Sequence, residues 1–337
     1  PNLLEELIFS DFIHEENYAG IGIQLYEQLG DLQGSALLQS EKIIKRTVQI
    51  VCENAIKENI KYLEIRCSPL NYTRGNLNGL DVYKIICDTL EEYKDQLRTK
   101  LLIIASRHSE LSKIQAHMDL ISEIFESGDP YLSYLAGVDL AGNENAMEPE
   151  KLREPFLSAM EKNIHITIHA GETADVNNIW QAIYHLNAER IGHGLTLKND
   201  KSLMKKILDR KIGIEMCPSS NTQIVGFRDF YKNKSDHFEE YPLKEYLDNK
   251  LKVTINTDNT GISRTSISKE FLKACHLTEN GLSVPEILQI IKNSIDSSFL
   301  SYDEKLKLTN EIETEIIEFL RRDILCQNSS WLARVKS

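Results

Sequence analysis

The strongest constraint on the fold is a regular alternation of short apolar segments with longer amphipathic ones. Each apolar segment is short enough for a buried strand, and each is followed by a segment with helical periodicity or by a loop. Strands that alternate with helices predict parallel βαβ units. The predicted strands are 61–67, 101–107, 135–140, 165–169, 190–194, 211–217 and 252–257. The predicted helices are 41–56, 79–97, 111–127, 148–163, 176–188, 200–210 and 242–249, after an amphipathic opening turn or two at 2–9, and the residues from 264 to 335 are predicted to be largely helical.

Polar residues follow these strands at their C-terminal ends, all along the chain. A closed barrel brings such residues together at one mouth, whereas a doubly wound sheet concentrates them at a single switch point. We therefore predict an α/β fold, a (β/α)8 TIM barrel whose first strand is missing from this chain. The prediction is one domain over 1–337, with a helical lead-in over about 1–60, the barrel over 61–263 and C-terminal helices over 264–337. The strand-end residues are Arg66, Arg107, Asp139, His169, His193, Ser219 and Asp258.

The composition excludes several classes of protein. The net charge of −12 argues against binding to nucleic acid or to an anionic membrane surface. No apolar run approaches the 18 or so residues of a membrane span, and no signal peptide is visible. Six cysteines without a CxxC pair predict a reducing, cytoplasmic location. The many predicted helices would permit a homo-oligomer.

The segment from His165 to Glu172, His-Ile-Thr-Ile-His-Ala-Gly-Glu, carries the clearest chemical signal. It predicts a buried strand that ends in His169, a glycine turn and a carboxylate. His169 has the type and position of a metal ligand, and Glu172 could pass a proton to a substrate beside the metal. A core histidine and a solvated glutamate would explain this octapeptide equally well. The residues at the other strand ends are therefore needed to distinguish the two interpretations.

Two further strand ends favour the chemical interpretation. His193 closes the next strand, and Asp258 follows the last one. Two histidines and an aspartate suit a divalent metal that activates a water molecule. Either His193 or Asp258 could accept the proton of that water. Taken singly, His193 could be a small loop residue and Asp258 an Asx turn, but their occurrence at successive strand ends points to a site.

These motifs resemble adenosine deaminase and AMP deaminase, in order, from about residue 35 to 305. The resemblance implies a zinc-dependent barrel enzyme that hydrolyses the 6-amino group of a purine nucleoside or nucleotide. It implies that His169 and Asp258 bind zinc and that Glu172 protonates ring nitrogen N1. It also implies that His193 orients or deprotonates the zinc water, and that Gly142 and Asp139 belong to the substrate-binding segment, with the Gly142 N–H facing N3. The matching motifs are Ser68-Pro69, Asp139-Leu-Ala-Gly142, His169-Ala-Gly-Glu172, Arg190-Ile-Gly-His-Gly194, Cys217-Pro-Ser-Ser-Asn221 and Asn256-Thr-Asp258.

The chain departs from the family pattern in two places. The family's first strand ends in a His-x-His pair of zinc ligands, and this chain contains no His-x-His; His14 is alone in a helix-like setting. We expect the missing strand upstream of Pro1, the alternative being a genuine loss that leaves a binding protein. Asn259 stands where the family usually has a second aspartate facing N7, and its amide can donate a hydrogen bond there.

The 5′ end of the substrate is not defined by the motifs. Candidate phosphate contacts are Arg74, Arg107 and Arg264, together with Arg66 and Arg228, because arginine binds phosphate bidentately. The loops 70–79 and 222–241 are long enough to act as lids. The sequence also resembles deaminase domains of bacterial anti-phage systems, which can act on adenosine or ATP. Two alternatives stay open: a metal-dependent amidohydrolase acting on another ring or amide, and a catalytically dead nucleoside-binding or assembly module. The metal could also be another divalent ion, because histidine and carboxylate ligands suit several.

Overall fold

The computed structural model describes residues 19–128, 130–232 and 238–335. For residue 33 and residues 323–335 it describes the backbone alone. The predicted amphipathic opening turns over 2–9 and the residue His14 lie outside these residues. The described chain contains seven strands. From residue 41 onward these strands alternate with helices, as the sequence predicts. The strands are β1 (Tyr62–Cys67), β2 (Arg98–Ser106), β3 (Leu135–Ala141), β4 (His165–Ala170), β5 (Arg190–His193), β6 (Gly213–Met216) and β7 (Lys252–Ile255).

The helices occupy the connections between the strands and the C-terminal region. Several begin at capping residues: Asn78 and Asp81 form a reciprocal capping box at α3, and the Asp200 carboxylate accepts from two backbone N–H groups at α7. The helices are α1 (Ile23–Gln33), α2 (Glu41–Lys57), α3 (Gly79–Glu91), α4 (Leu111–Ser127), α5 (Arg153–Glu161), α6 (Val176–His185), α7 (Lys201–Arg210), α8 (Pro218–Ile224), α9 (Leu243–Asp248), α10 (Thr260–Ser263), α11 (Ile267–His276), α12 (Val284–Ser297) and α13 (Tyr302–Val335).

All seven strands form one parallel sheet in which each strand pairs with the next, from β1 to β7 without reversal. A doubly wound sheet would reverse its order at a switch point, so that alternative is excluded for the described strands. The sheet also curls. In a flat sheet, spacings of about 4.8 Å would separate β1 from β6 by roughly 24 Å, yet Arg66 of β1 forms an ion pair with Glu215 of β6. The predicted TIM-barrel fold is confirmed, with seven of its strands described.

The described strands leave an opening in the barrel wall. Within the described residues β1 and β7 end the sheet and do not pair with each other. Between them lies a cleft of about 1810 Å³, bordered by the apolar faces of α2, α12 and α13. The cleft reaches the strand ends, where its lining includes His169, His193 and Asp258. This opening lies where an eighth strand would close the barrel.

Candidate active site

The C-terminal ends of β4, β5 and β7 bring the predicted chemical groups to one mouth of the barrel. The His169 and His193 rings meet edge to face, with centroids 4.9 Å apart. The Glu172 Oε1 atom lies 3.3 Å from the His193 Nδ1 atom. Asp258 lines the same cleft as the two histidines. Four residues from three separate strand ends therefore lie together, as the strand-end pattern predicts.

The backbone at two of these residues is unusual. His193 has φ of 65° and Asp258 has φ of 49°, both in the left-handed region. A non-glycine residue in a sparsely populated region costs on the order of 1–3 kcal/mol, and such residues cluster at active sites. His193 is the last residue of β5 and Asp258 comes three residues after β7, and both line the cleft. The fold thus retains local strain where the chemistry is predicted.

The imidazole of His169 is held by a buried carboxylate. Its Nδ1 atom lies 3.0 Å from Asp139 Oδ1, and the other oxygen of Asp139 accepts from Arg66 Nη1 at 2.9 Å. Burial opposes protonation of His169, but the Asp139 carboxylate outweighs it and raises the pKa of His169 to about 9. A histidine that donates its Nδ1–H to a carboxylate presents Nε2 as its metal-binding nitrogen, which is how metal-ligating histidines are commonly oriented.

Beneath this pair, an ion network fills the interior of the barrel. Glu215 lies 2.9 Å from Arg190 Nε, and its second oxygen accepts from the Thr167 hydroxyl at 3.0 Å. Arg190 also reaches Glu64 on β1 at 2.6 Å. Burial raises the pKa of Glu215, but Arg66 and Arg190 reverse this and lower it to about 2. Each of these buried carboxylates therefore faces at least one arginine, and such pairing is what allows charged groups to be buried in a barrel core.

Glu172 is a buried carboxyl group with only 7% of its surface exposed. Burial, and then the nearby negative charges of Glu144 and Asp258, raise the pKa of Glu172 to about 8. His193 is 2% exposed, and burial followed by repulsion from His169 lowers its pKa to about 4. At neutral pH the pair is therefore a protonated carboxylic acid beside a neutral imidazole. Titratable groups whose environments separate their pKa values in this way are suited to acid–base roles.

Sequence reasoning missed two residues that support this pair. The carboxylate of Glu144, 3% exposed, accepts from the backbone N–H groups of residues 172, 173 and 174 at 2.8–3.1 Å. The side chain of Asn221 donates to Glu172 Oε1 at 2.7 Å and contacts His193 Nδ1 at 2.9 Å. Glu144 stands two residues after Gly142, and Asn221 ends the Cys217–Asn221 motif, so their positions next to strand ends were the available signal.

Two predicted contacts are corrected by burial. Arg107 has no exposed surface, and its guanidinium donates to the carbonyl of His169 and to Asn178 Oδ1. It therefore fixes the end of β4 and cannot reach a phosphate at the mouth. Asp139 is likewise fully buried, with its oxygens engaged by His169 and Arg66. It orients His169 and has no surface left for a substrate.

The other predicted contacts lie nearer the surface. Arg74, Arg264 and Asn259 are exposed. Gly142 has φ of 89°, and a Cβ atom there would come within 2.9 Å of Ser106 Oγ and His108 Nδ1. This position tolerates a side chain poorly, as a close backbone approach to a ligand requires.

Helix α1 covers one side of the mouth. The Tyr26 hydroxyl lies 3.4 Å from Asp258 Oδ2 and 3.2 Å from Ser263 Oγ, and Ser263 donates to Gln223 Oε1 at 2.8 Å. These contacts join α1 to the short helices α8 and α10, which follow β6 and β7. The structure therefore places an aromatic side chain directly beside the carboxylate predicted to bind metal.

The metal-binding groups form an incomplete set in the part of the chain that is described. No group of three or more His, Cys, Asp or Glu residues suited to a metal ion is found there. His169 and Asp258 are the predicted pair, and catalytic zinc sites use three protein ligands. The donors that are described suit a divalent metal in type but not in number.

No helix among the described residues combines the length and the apolarity that a bilayer crossing demands. Comparison with known proteins identifies relatives of this chain. The family model described as "Adenosine deaminase" matches residues 23–315. Adenosine deaminase of Clostridium acetobutylicum is 32% identical over 279 residues, covering 82% of this chain and 78% of the relative.

Solved structures share the fold. The ADAL protein of Arabidopsis in complex with IMP superposes with a TM-score of 0.74 at 22% identity, covering 94% of this chain and 91% of that one. An amidohydrolase of Burkholderia ambifaria with bound Zn also gives a TM-score of 0.74, at 19% identity, with 89% and 80% covered. The chain belongs to the adenosine deaminase family, which makes it a hydrolytic deaminase.

Proposed function

We propose that this enzyme hydrolyses the 6-amino group of adenosine or an adenine nucleotide to the inosine form and releases ammonia. The observation that carries the proposal is Glu172, a buried carboxyl with its pKa raised to about 8, in contact with a neutral His193. A carboxylic acid that keeps its proton at neutral pH can protonate a weakly basic ring nitrogen.

The relatives support a purine substrate. The clostridial relative is named adenosine deaminase, and the Arabidopsis neighbour was solved with IMP. IMP contains hypoxanthine, the base that hydrolysis of the adenine amino group produces. We infer a small-molecule purine nucleoside or nucleotide as the partner of this site, with adenosine, AMP and ATP as the candidates.

In the proposed reaction, Glu172 gives its proton to N1 of the purine, which makes C6 more electrophilic. His193 orients the attacking water by a hydrogen bond. Water adds at C6, one of its protons passes to the amino group and the other restores the Glu172 carboxyl. The C6–N6 bond breaks, so ammonia leaves and a C6 carbonyl remains. The backbone N–H of Gly142 would bind N3, and the Asn259 amide would donate to N7.

His169 and Asp258 would hold the metal, zinc or another divalent ion, and Asp139 would orient His169 through Nδ1. When bound, such a metal lowers the pKa of a coordinated water toward about 7. Because two protein ligands are fewer than the three of catalytic zinc sites, we propose that the set is completed by a strand in the opening between β7 and β1.

The location and assembly of the protein remain proposals as well. The described cysteines are unpaired, which supports the reducing, cytoplasmic location that the sequence predicts. A homo-oligomer and a role in anti-phage defence rest on the sequence alone.

The test is ammonia release together with the ultraviolet shift from adenine to hypoxanthine, measured separately on adenosine, AMP and ATP with added zinc. We expect turnover of at least one of them, and a loss of at least about 10²-fold in Glu172→Gln. Turnover of a different ring would favour another amidohydrolase. Purine binding without turnover, in a protein that retains no metal, would overturn the proposal in favour of a binding module.

A further inference from the structure

The side chain of Asn221 lies between the two groups that the proposed reaction uses. It is fully buried, and its Nδ2 atom is 2.7 Å from Glu172 Oε1 and 2.9 Å from His193 Nδ1. An amide nitrogen carries two hydrogens and accepts none. One NH2 group can therefore donate to both residues at once.

The orientation of the amide follows from its other end. The backbone N–H of Cys217 lies 3.2 Å from Asn221 Oδ1, and the Tyr241 hydroxyl lies 2.9 Å from the same atom. A backbone N–H can only donate, so the atom facing it must be the oxygen. This excludes the flipped amide, which would also direct its oxygen toward the carboxyl of Glu172.

We propose that Asn221 is a positioning residue that fixes where Glu172 and His193 carry their protons. Because the amide donates to His193 Nδ1, that nitrogen has no hydrogen, and the neutral ring carries its proton on Nε2. Because the amide also donates to Glu172 Oε1, that oxygen is held as an acceptor, which leaves Oε2 as the oxygen that can carry the acidic proton. The proton donor and the water-orienting imidazole are thus set before substrate arrives.

The competing arrangement is a direct contact between the two residues. His193 Nδ1 lies 3.3 Å from Glu172 Oε1, and a proton on Nδ1 would let the imidazole donate to the carboxylate. That arrangement requires the opposite tautomer and leaves an amide hydrogen of Asn221 pointing at an N–H. The two arrangements therefore predict different protonation of one identifiable nitrogen.

The inference rests on the proposed function for its meaning but not for its test. Nitrogen NMR of protein labelled with 15N-histidine distinguishes the two neutral tautomers, because a nitrogen without hydrogen resonates far downfield of one that carries it. His193 is assigned by the signal lost in His193→Gln. We expect the Nε2–H tautomer in the wild-type protein and the Nδ1–H tautomer in Asn221→Asp, whose carboxylate accepts from Nδ1.

The matched control is Asn293→Asp, the same isosteric change at a buried asparagine whose amide donates to the Val253 carbonyl at 3.0 Å. It should lower stability and leave the His193 tautomer unchanged. Where turnover is measured, Asn221→Asp and Asn221→Ala should both lose about 10²-fold in kcat with little change in KM. A packing role alone would spare the aspartate variant.

An Nδ1–H tautomer in the wild-type protein, or an unchanged tautomer in Asn221→Asp, would overturn the inference. Neither result depends on turnover. Failure of the deaminase assay with the expected tautomers would instead count against the proposed function alone.

Discussion

The contacts of Glu144 with the turn after β4 lead to a quantitative prediction. Its carboxylate accepts from the backbone N–H groups of residues 172, 173 and 174, with Oε2 facing all three at 2.8–3.1 Å and Oε1 facing only the first. Glu144→Ala removes every one of these acceptors. Glu144→Gln can keep its oxygen at the Oε2 position, so the three contacts persist without the charge.

The expected magnitudes follow from this difference. A hydrogen bond to a charged group contributes about 1.5–3 kcal/mol and a neutral one about 0.5–1.5 kcal/mol, while a buried unsatisfied N–H costs about 1–3 kcal/mol. Residues 173 and 174 are half-buried, so water partly replaces the lost acceptor there. We expect Glu144→Ala to lower the free energy of unfolding by about 3–5 kcal/mol and Glu144→Gln by about 1–2 kcal/mol.

Urea denaturation followed by circular dichroism measures both values. Glu148→Ala is the matched control, because Glu148 lies in the same loop, is exposed, and makes a long 3.8 Å ion pair with Lys151. It should change the free energy of unfolding by less than about 0.5 kcal/mol. If Glu144→Ala were no more destabilising than this control, the hydrogen bonds to the Glu144 carboxylate would not stabilise the turn at residues 172–174, and the reasoning would be refuted.

The remaining predictions concern charge and close packing. The pKa of Glu172 is raised from 4.5 to about 8, so the folded state holds this proton more tightly than the unfolded one, and its contribution to stability is lost as pH rises through that interval. Glu172→Gln cannot ionise, so its stability relative to wild type should increase between about pH 4.5 and 8 and then level off; a constant difference would contradict the raised pKa. Gly142→Ala should raise KM, because φ of 89° and contacts of 2.9 Å place the strain of an added Cβ atom at the barrel mouth; an unchanged KM would remove Gly142 from the substrate site. Gly137→Ala would put a Cβ atom 2.3 Å from the His165 carbonyl oxygen on the neighbouring strand and should cost about 3 kcal/mol or more of stability, whereas near-wild-type urea unfolding would mean that β3 and β4 separate easily.

Much of the fold follows from local sequence because its parallel strands are short, buried and separated by helices. The strand predicted at 165–169 is observed as His165–Ala170, and the helix predicted at 111–127 has the same bounds. Errors arose where local chemistry changes the helix type. The helix predicted over 148–163 begins instead as a 3-10 turn at Pro149–Leu152 and becomes α-helical at Arg153. Pro155 has no N–H to donate to the Lys151 carbonyl, so an α-helix running on from residue 149 would lack that hydrogen bond.

The site was harder to predict, because strand-end position does not give the direction of a side chain. His169 and Arg107 both follow the strand-end pattern, yet one faces the cleft and the other is buried behind it. Glu144 and Asn221 act through hydrogen bonds to residues 28 and 49 positions away. Such contacts depend on how loops meet at the barrel mouth, and no local pattern in the sequence encodes that meeting.

The most direct test of the central claim is ammonia release from adenosine, AMP and ATP by the zinc-supplemented protein, with Glu172→Gln alongside. The account predicts conversion of adenine to hypoxanthine on at least one of these substrates, reduced at least about 10²-fold in the variant. Full turnover in Glu172→Gln would contradict the assignment of the proton donor. Absence of turnover on all three, with purine still bound, would contradict deamination as the activity of this site.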